Sequence, residues 1–540
     1  MRRDEVEKLR KLAAPRGTVW SRYNLIEVLP EPTPMTWAVV HRLLSGSGGS
    51  GLMYRDVGFK PSPDLAKLTV YDLIGGRPFC NLSREPFMQA KRPQMDYPFA
   101  LYKSSPLLAL DPKPESGSIY RGLGRWLRLP AFLWKQMRFA SRISKQSQGF
   151  ADEFRQTVVP AFVAEIEKAA AEVVSTLDPP ALLKRFHFWV ERTLVEYARA
   201  SLKPTLFAQF SMQVLEQQLK KPLGEARTRE ALAELSGGAK PDSEANLPQA
   251  ILDTAAGKLP RAEFLQRFGH RGSHEMELAN PRWGEDHAAL DRALNVGRKT
   301  HPTRVDSSTP AQRWEKIAAE AKFPSFLTKW LSSHVERLQT YLGLRETAKH
   351  YLMRGYAIIR QSLVELDRRF KLNGGIFFLT PDELPQLIAG KNLTEIIEGR
   401  RKNRSIALSL EVPPVVFSDD LEAIGRPQPT PVGAAHLQGL ALSAGVVEGP
   451  ALVLSEPSDA PDAEDGYILV CPSTDPAWVP LFVNAKGLVM ESGGTLSHGA
   501  IVAREFGLPA VASLPGVLHQ IKTGQRVRVD GGRGTVTVLE

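Results

Sequence analysis

Two long stretches of the chain repeat apolar residues every three or four positions, and both predict amphipathic helices. The first covers about 150–220 in a background of Ala, Glu, Leu, Val and Lys. Pro160, Pro179-Pro180 and Pro204 are expected to cut it into separate helices. The second covers about 312–372, with breaks expected at Phe323-Pro324 and near Gly343, so that Leu344 opens a helix running on through Lys349, Arg354 and Arg360. No fixed-period repeat links these helices, which favours a packed helical body over a solenoid.

Elsewhere the apolar runs are short and bounded by turn residues, the pattern of strands. Residues 70–74 and 79–82 flank Gly75-Gly76-Arg77-Pro78 and predict a small hairpin, while Ile376-Phe377-Phe378-Leu379 predicts a strand running into a helix cap. Pro30, Pro32 and Pro34 imply an extended, turn-rich segment. The run Gly46-Ser47-Gly48-Gly49-Ser50-Gly51 lacks the Lys-Ser/Thr ending of a phosphate loop and reads as a flexible connection. After a proline-rich stretch at 413–433, short strands are expected at 451–454, 467–470 and 487–490. A closing hairpin follows, 526–529 against 535–538, across Asp530-Gly531-Gly532-Arg533-Gly534. The fold class is therefore α+β and multidomain. A mostly helical unit with a small β portion spans 1–410, a hinge spans 411–435, and a β/α unit spans 436–540.

With 540 residues the chain can bury more than one core. Its first ten residues are charged, and no run approaches the roughly 18 consecutive apolar residues of a membrane span, so a cytoplasmic protein without a membrane partner is expected. Cys80 and Cys471 are too few and too distant for a disulfide framework or a thiolate metal site. Charge is distributed unevenly. Residues 437–540 hold six Lys/Arg against eleven Asp/Glu, a net −5, which leaves +15 for the rest of a chain whose total is +10. An acidic module tethered to a basic body suggests electrostatic docking or attraction of phosphorylated ligands, although solvated faces would show the same balance. No basic-aromatic recognition motif points to nucleic acid.

The candidate chemistry centres on Gly493-Gly494-Thr495-Leu496-Ser497-His498-Gly499, directly after the apolar strand Gly487-Leu488-Val489-Met490. Ser497 stands where an N-cap belongs, and Gly507 and Pro509 close the helix, so His498 opens it. The unpaired N–H groups and positive dipole of that first turn favour anions and disfavour imidazole protonation, leaving His498 a neutral nucleophile. Gly493, Gly494 and Gly499 keep side-chain bulk away from the ring, and Ser497 and Arg504 complete a candidate phosphate-binding set. A second constellation is Phe268-Gly269-His270-Arg271-Gly272-Ser273-His274-Glu275. The glycines make a regular metal-binding helix of His270 and His274 improbable, and no metal site is expected.

The residues from Leu437 onward resemble the swivelling phosphohistidine domain of the phosphoenolpyruvate-utilising enzymes. The matching runs are Ser443-Ala444-Gly445, Glu448-Gly449-Pro450, Thr474-Asp475-Pro476-Ala477-Trp478-Val479-Pro480 and the histidine motif through Ala510. The body resembles the substrate domain of rifampin phosphotransferases at 19–37, at 268–286 and in the block beginning Leu344-Arg345-Glu346-Thr347-Ala348-Lys349. The resemblance implies a pocket wall built from His270, Arg271 and Glu275, with Arg345, Glu346 and Lys349 as further candidates. It implies a phosphohistidine at His498, passing a phosphoryl group to a small-molecule acceptor in the body. Such enzymes also use an ATP-grasp domain. Its motifs are not found in this sequence, so a separate ATP-grasp subunit, binding ATP and Mg2+, is the expected partner. The alternative is a non-catalytic regulator or scaffold that retains the fold without a phosphoryl source.

Overall fold

The computed structural model describes residues 2–539 except 24, 92, 94, 114, 117–123, 299–307, 427–435, 461–465 and 496. For His498 and Glu505 it describes the backbone.

A four-stranded antiparallel sheet forms one side of the body. Its order is Tyr71–Ile74, Arg77–Asn81, Val19–Ser21, Val415–Phe417. The expected hairpin supplies its first two strands. The last comes from the proline-rich stretch read as hinge. Val416, Leu421 and Ile424 are buried beside Trp20 and Phe79, and Pro414 O accepts from Arg22 N at 2.9 Å. Prolines there set extended backbone at a sheet edge, where a missing N–H is tolerated. Residues 411–426 are thus built into the body, and the rest of the expected hinge, 427–435, lies outside the described residues.

The helical blocks pack into one large apolar core around the helix Ser325–Phe370. That helix runs unbroken through Gly343, and Leu344 lies within it instead of opening a new one. Gly343 is needed for contact: a Cβ there would sit 2.1 Å from Lys240 O. Pro160 does not cut its helix either. A π-turn at Phe154–Val158 loosens the ladder just before Val159–Ala170 and accommodates the ring. Pro179 and Pro204 do begin helices, at Pro179–Glu191 and Lys203–Ser236. The extended reading of 30–37 holds only to Thr33. Its side chain caps the helix Pro34–Leu44, with Pro34 at the first position.

The 46–51 run is not a flexible connection. Gly49 starts the helix Gly49–Asp56, and Gly49 and Gly51 are buried. Residues Gly375–Phe378 form a 3-10 turn in place of a strand, because Asp367 accepts from Gly374 N and Ile376 N and satisfies that backbone locally. The cap beyond it is present as a capping box of Thr380 and Glu383.

The C-terminal sheet has eight strands in the order His436–Gln438, Thr535–Val538, Arg526–Asp530, Val446–Val453, Tyr467–Cys471, Ala485–Met490, Ala510–Ala512, Leu440–Ser443. The four from Val446–Val453 to Ala510–Ala512 pair in parallel, with antiparallel strands on both sides. Tyr467–Cys471 is buried at every position, as a central strand covered on both faces must be. One face packs on Val479–Asn484 and His498–Glu505 through Leu481, Phe482, Ala500 and Ala503; the other packs on Val517 and Ile521. Among the described residues no helix is long and apolar enough to cross a membrane.

Candidate active site

The strand Ala485–Met490 delivers the chain to the glycine loop, and the helix His498–Glu505 leaves it. Ser497 has extended backbone, and its hydroxyl accepts from Ala500 N at 3.1 Å, which is the expected N-cap. Ser497 N in turn donates to Gly494 O at 3.0 Å, and Gly493 O accepts from Ser513 Oγ at 2.9 Å. The loop is therefore held by one internal backbone bond and by the hydroxyls of Ser497 and Ser513.

Arg504 serves the same purpose. Its Nε donates to Leu442 O and its Nη1 to Thr495 O, both at 2.8 Å, and burial lowers its pKa to about 10. The guanidinium braces the turn against the edge strand. Gly499 presses on Thr474 and Met490, where a Cβ would meet Thr474 Oγ1 at 2.4 Å and Met490 Sδ at 2.6 Å. Gly494 has open space around it.

On the body, Arg271 and Glu275 are buried and paired twice, Nε to Oε2 at 2.5 Å and Nη2 to Oε1 at 2.9 Å. Lys349 Nζ reaches Glu275 Oε1 at 3.0 Å. Burial alone raises the Glu275 pKa, but the charges and hydrogen bonds of Arg271 and Lys349 outweigh it and hold the carboxyl at about 2, below its ordinary 4.5. The stabilisation this gives is complete above pH 4.5 and is lost as pH falls towards 2.

His270 and His350 meet edge to face at 4.8 Å between ring centroids. Burial first, then the neighbouring positive charges, keeps both imidazoles well below their usual pKa and neutral. His270 Nε2 and His350 Nδ1 are closed off without a hydrogen-bond partner among the described residues. Arg345 and Glu346 lie beside Lys349 on the same helix, 3.9 Å apart. The structure therefore joins Arg271, Glu275 and Lys349 directly and sets Glu346 beside Arg271 at one cavity, while Arg345 pairs with its neighbour Glu346 and His270 packs on His350.

The histidine helix faces this cluster. Ile501 and Val502 line a cavity of about 30 Å³ together with Val479 and the body residues Leu247, Arg271 and Glu346. Two residues that sequence reasoning missed join the halves here: Asp475 accepts from the body's His274 N, and Val479 is buried among body side chains. The Thr474-Asp475-Pro476 motif signals a helix cap and accounts for only one of the Asp475 oxygens. No group of three or more His, Cys, Asp or Glu able to hold a metal occurs among the described residues.

Residues 463–534 match the PEP-utilising enzyme mobile domain, and residues 215–346 match the rifampicin phosphotransferase fourth domain. The two matches take in the runs at 474–480, the histidine motif and 268–286, while the runs at 19–37 and 443–450 lie outside them. The first segment contains the histidine helix; the second contains His270, Arg271, Glu275, Arg345 and Glu346 and stops short of Lys349. The chain is 32% identical over 294 residues to the rifampicin phosphotransferase of Bacillus subtilis (strain 168), and 35% identical over 298 residues to that of Bacillus cereus. Each alignment covers 51% of this chain, and the chain spans 34% of the length of each relative. Among solved structures, holo aconitase X of Thermococcus kodakaraensis aligns over 20% of this chain and 100% of its own at 24% identity, with a TM-score of 0.17.

Proposed function

We propose that this chain is a phosphotransferase component in which His498 carries a phosphoryl group from an ATP-grasp protein acting in trans to a small-molecule acceptor held against the Arg271–Glu275–Lys349 cluster. The observation that carries this reading is the capped helix opening at His498, set opposite that cluster within a matched mobile domain. In the first, dikinase-like step an imidazole nitrogen attacks a phosphorus of ATP, a P–N bond forms, and the P–O bond to the departing nucleotide portion breaks. In the second, an acceptor oxygen attacks the same phosphorus, the P–N bond breaks and neutral imidazole returns. Mg2+ acts at the ATP step by screening phosphate charge.

Residues 436–540 serve as the carrier, and residues 1–426 as the body. The backbone around Gly493, Gly494, Ser497 and Gly499 receives the phosphoryl oxygens. Arg504, with its Nε and Nη1 donating to carbonyls, fixes that backbone beside the phosphoryl site. Arg271, Lys349 and Arg345 stabilise charge on the transferring group. His270, held neutral by burial and by neighbouring positive charge, forms part of the pocket wall beside Arg271. An ATP-dependent first step is consistent with a cytoplasmic setting.

The test is mass spectrometry of the full chain after incubation with ATP and the ATP-grasp protein. One phosphoryl group is expected on the wild type and none on His498→Ala. Equal labelling of the two would exclude the carrier role. No labelling of either would leave the scaffold reading in its place.

A further inference from the structure

Asp475 is 1% exposed, and its carboxylate is divided between two parts of the chain. Oδ1 accepts from Ala477 N at 2.9 Å and caps the turn Pro476–Trp478. Oδ2 accepts from the body's His274 N at 2.6 Å and Ser273 Oγ at 3.2 Å. His274 is held at φ 46°, a left-handed conformation that a residue with a Cβ seldom adopts. Such strain persists only where surrounding contacts determine it.

One turn further on, Val479 is fully buried outside the two core clusters of its own sheet. It packs instead among Leu247, Ile251, Phe264 and Leu290 of the body. Thr474, next to Asp475, also forms the surface against which Gly499 is pressed. Whatever fixes residues 474–479 on the body therefore fixes the first turn of the histidine helix.

We infer that Asp475 and Val479 form a two-point latch that seats the carrier on the body in its delivery pose, with Asp475 the positioning residue and Val479 the apolar anchor. This inference rests on the carrier reading of His498. The latch is reversible by construction. Across the interface Asp475 accepts from a hydroxyl and a backbone amide, donors that water replaces when the carrier leaves. Val479 releases from a socket whose buried apolar residues, Leu247, Ile251, Phe264 and Leu290 among them, are of the body.

The experiment uses the full chain with spin labels at Glu153→Cys and Lys522→Cys. Both positions are exposed, and the native Cys80 and Cys471 are buried and stay unlabelled. A single narrow distance population is expected in the unsubstituted background. Asp475→Ala and Val479→Asp should each broaden and lengthen it, and should speed hydrogen exchange at the His274 amide by roughly ten- to a hundredfold. Asp475→Asn keeps an acceptor oxygen without the charge and should fall between. Protection of the Tyr467–Cys471 amides reports that the carrier remains folded, and Val479→Asp tests the latch even if loss of the Asp475 cap disturbs the local turn. Unchanged distances and unchanged His274 exchange in all three variants would overturn the latch. Neither readout involves phosphate, so a latch that opens in a chain His498 never labels would refute the carrier reading alone, and the reverse result would refute the latch alone.

Discussion

Two glycine-rich stretches, 46–51 and 493–499, look alike as text and do opposite things. In the first, added side-chain atoms would collide with backbone: 1.6 Å from Arg42 O at Gly48, 1.9 Å from Gly46 O at Gly51 and 2.5 Å from Leu194 O at Gly49. These glycines allow main chain to pack on main chain. In the second, Gly494 meets nothing within 4 Å, Gly493 comes no nearer than 3.1 Å to the Ala512 methyl, and Gly499 meets only side chains. Gly493 and Gly494 leave space beside a helix start, and Gly499 lets that helix press on the side chains of Thr474 and Met490. The distinguishing property is the identity of the neighbour, which glycine spacing does not encode.

The comparison can be broken by substitution. Gly48→Ala and Gly51→Ala should each destabilise the fold by at least about 3 kcal/mol, because a carbonyl cannot swing aside as a side chain can; urea midpoints and soluble yield would register it. Gly499→Ala should cost about 1–2 kcal/mol in thermal unfolding, since Thr474 and Met490 can turn away. Ser497→Ala removes the cap of the histidine helix and should cost about 1 kcal/mol, with the first-turn amides exchanging faster. Gly494→Ala should stay within about 0.5 kcal/mol of the parent protein. A Gly494→Ala loss as large as that of Gly48→Ala would end the distinction.

The same contrast explains what was legible in the sequence. The helix beginning at His498 could be read because its cap, Ser497, and its stop, Gly507 at φ 67°, are both local. The hairpin at 71–81 and the closing hairpin at 526–538 were legible for the same reason. Gly343 was read as a break because glycine lowers helix propensity by about 1 kcal/mol, yet a long buried face sustains the helix and the reason for glycine lies in a loop a hundred residues earlier. Val415–Phe417 was hidden by its prolines, with its pairing partner near the other end of the chain.

At the candidate site, the resemblance to the rifampin phosphotransferase substrate domain brought His270, Arg271, Glu275 and Lys349 forward, and the structure pairs Arg271 and Lys349 with Glu275. The engagement of Arg504 with two carbonyls, and of Asp475 with the body, depends on tertiary placement and leaves no local trace.

Pairing of Val415–Phe417 with Val19–Ser21 also sets the length of a leash. With residues up to 426 fastened to the body and the next sheet beginning at His436, nine residues, 427–435, join the two. At full extension a stretch of that length spans about 30 Å, which bounds how far the first strand of the C-terminal sheet can stand from the edge of the small N-terminal sheet, whatever either sheet packs on.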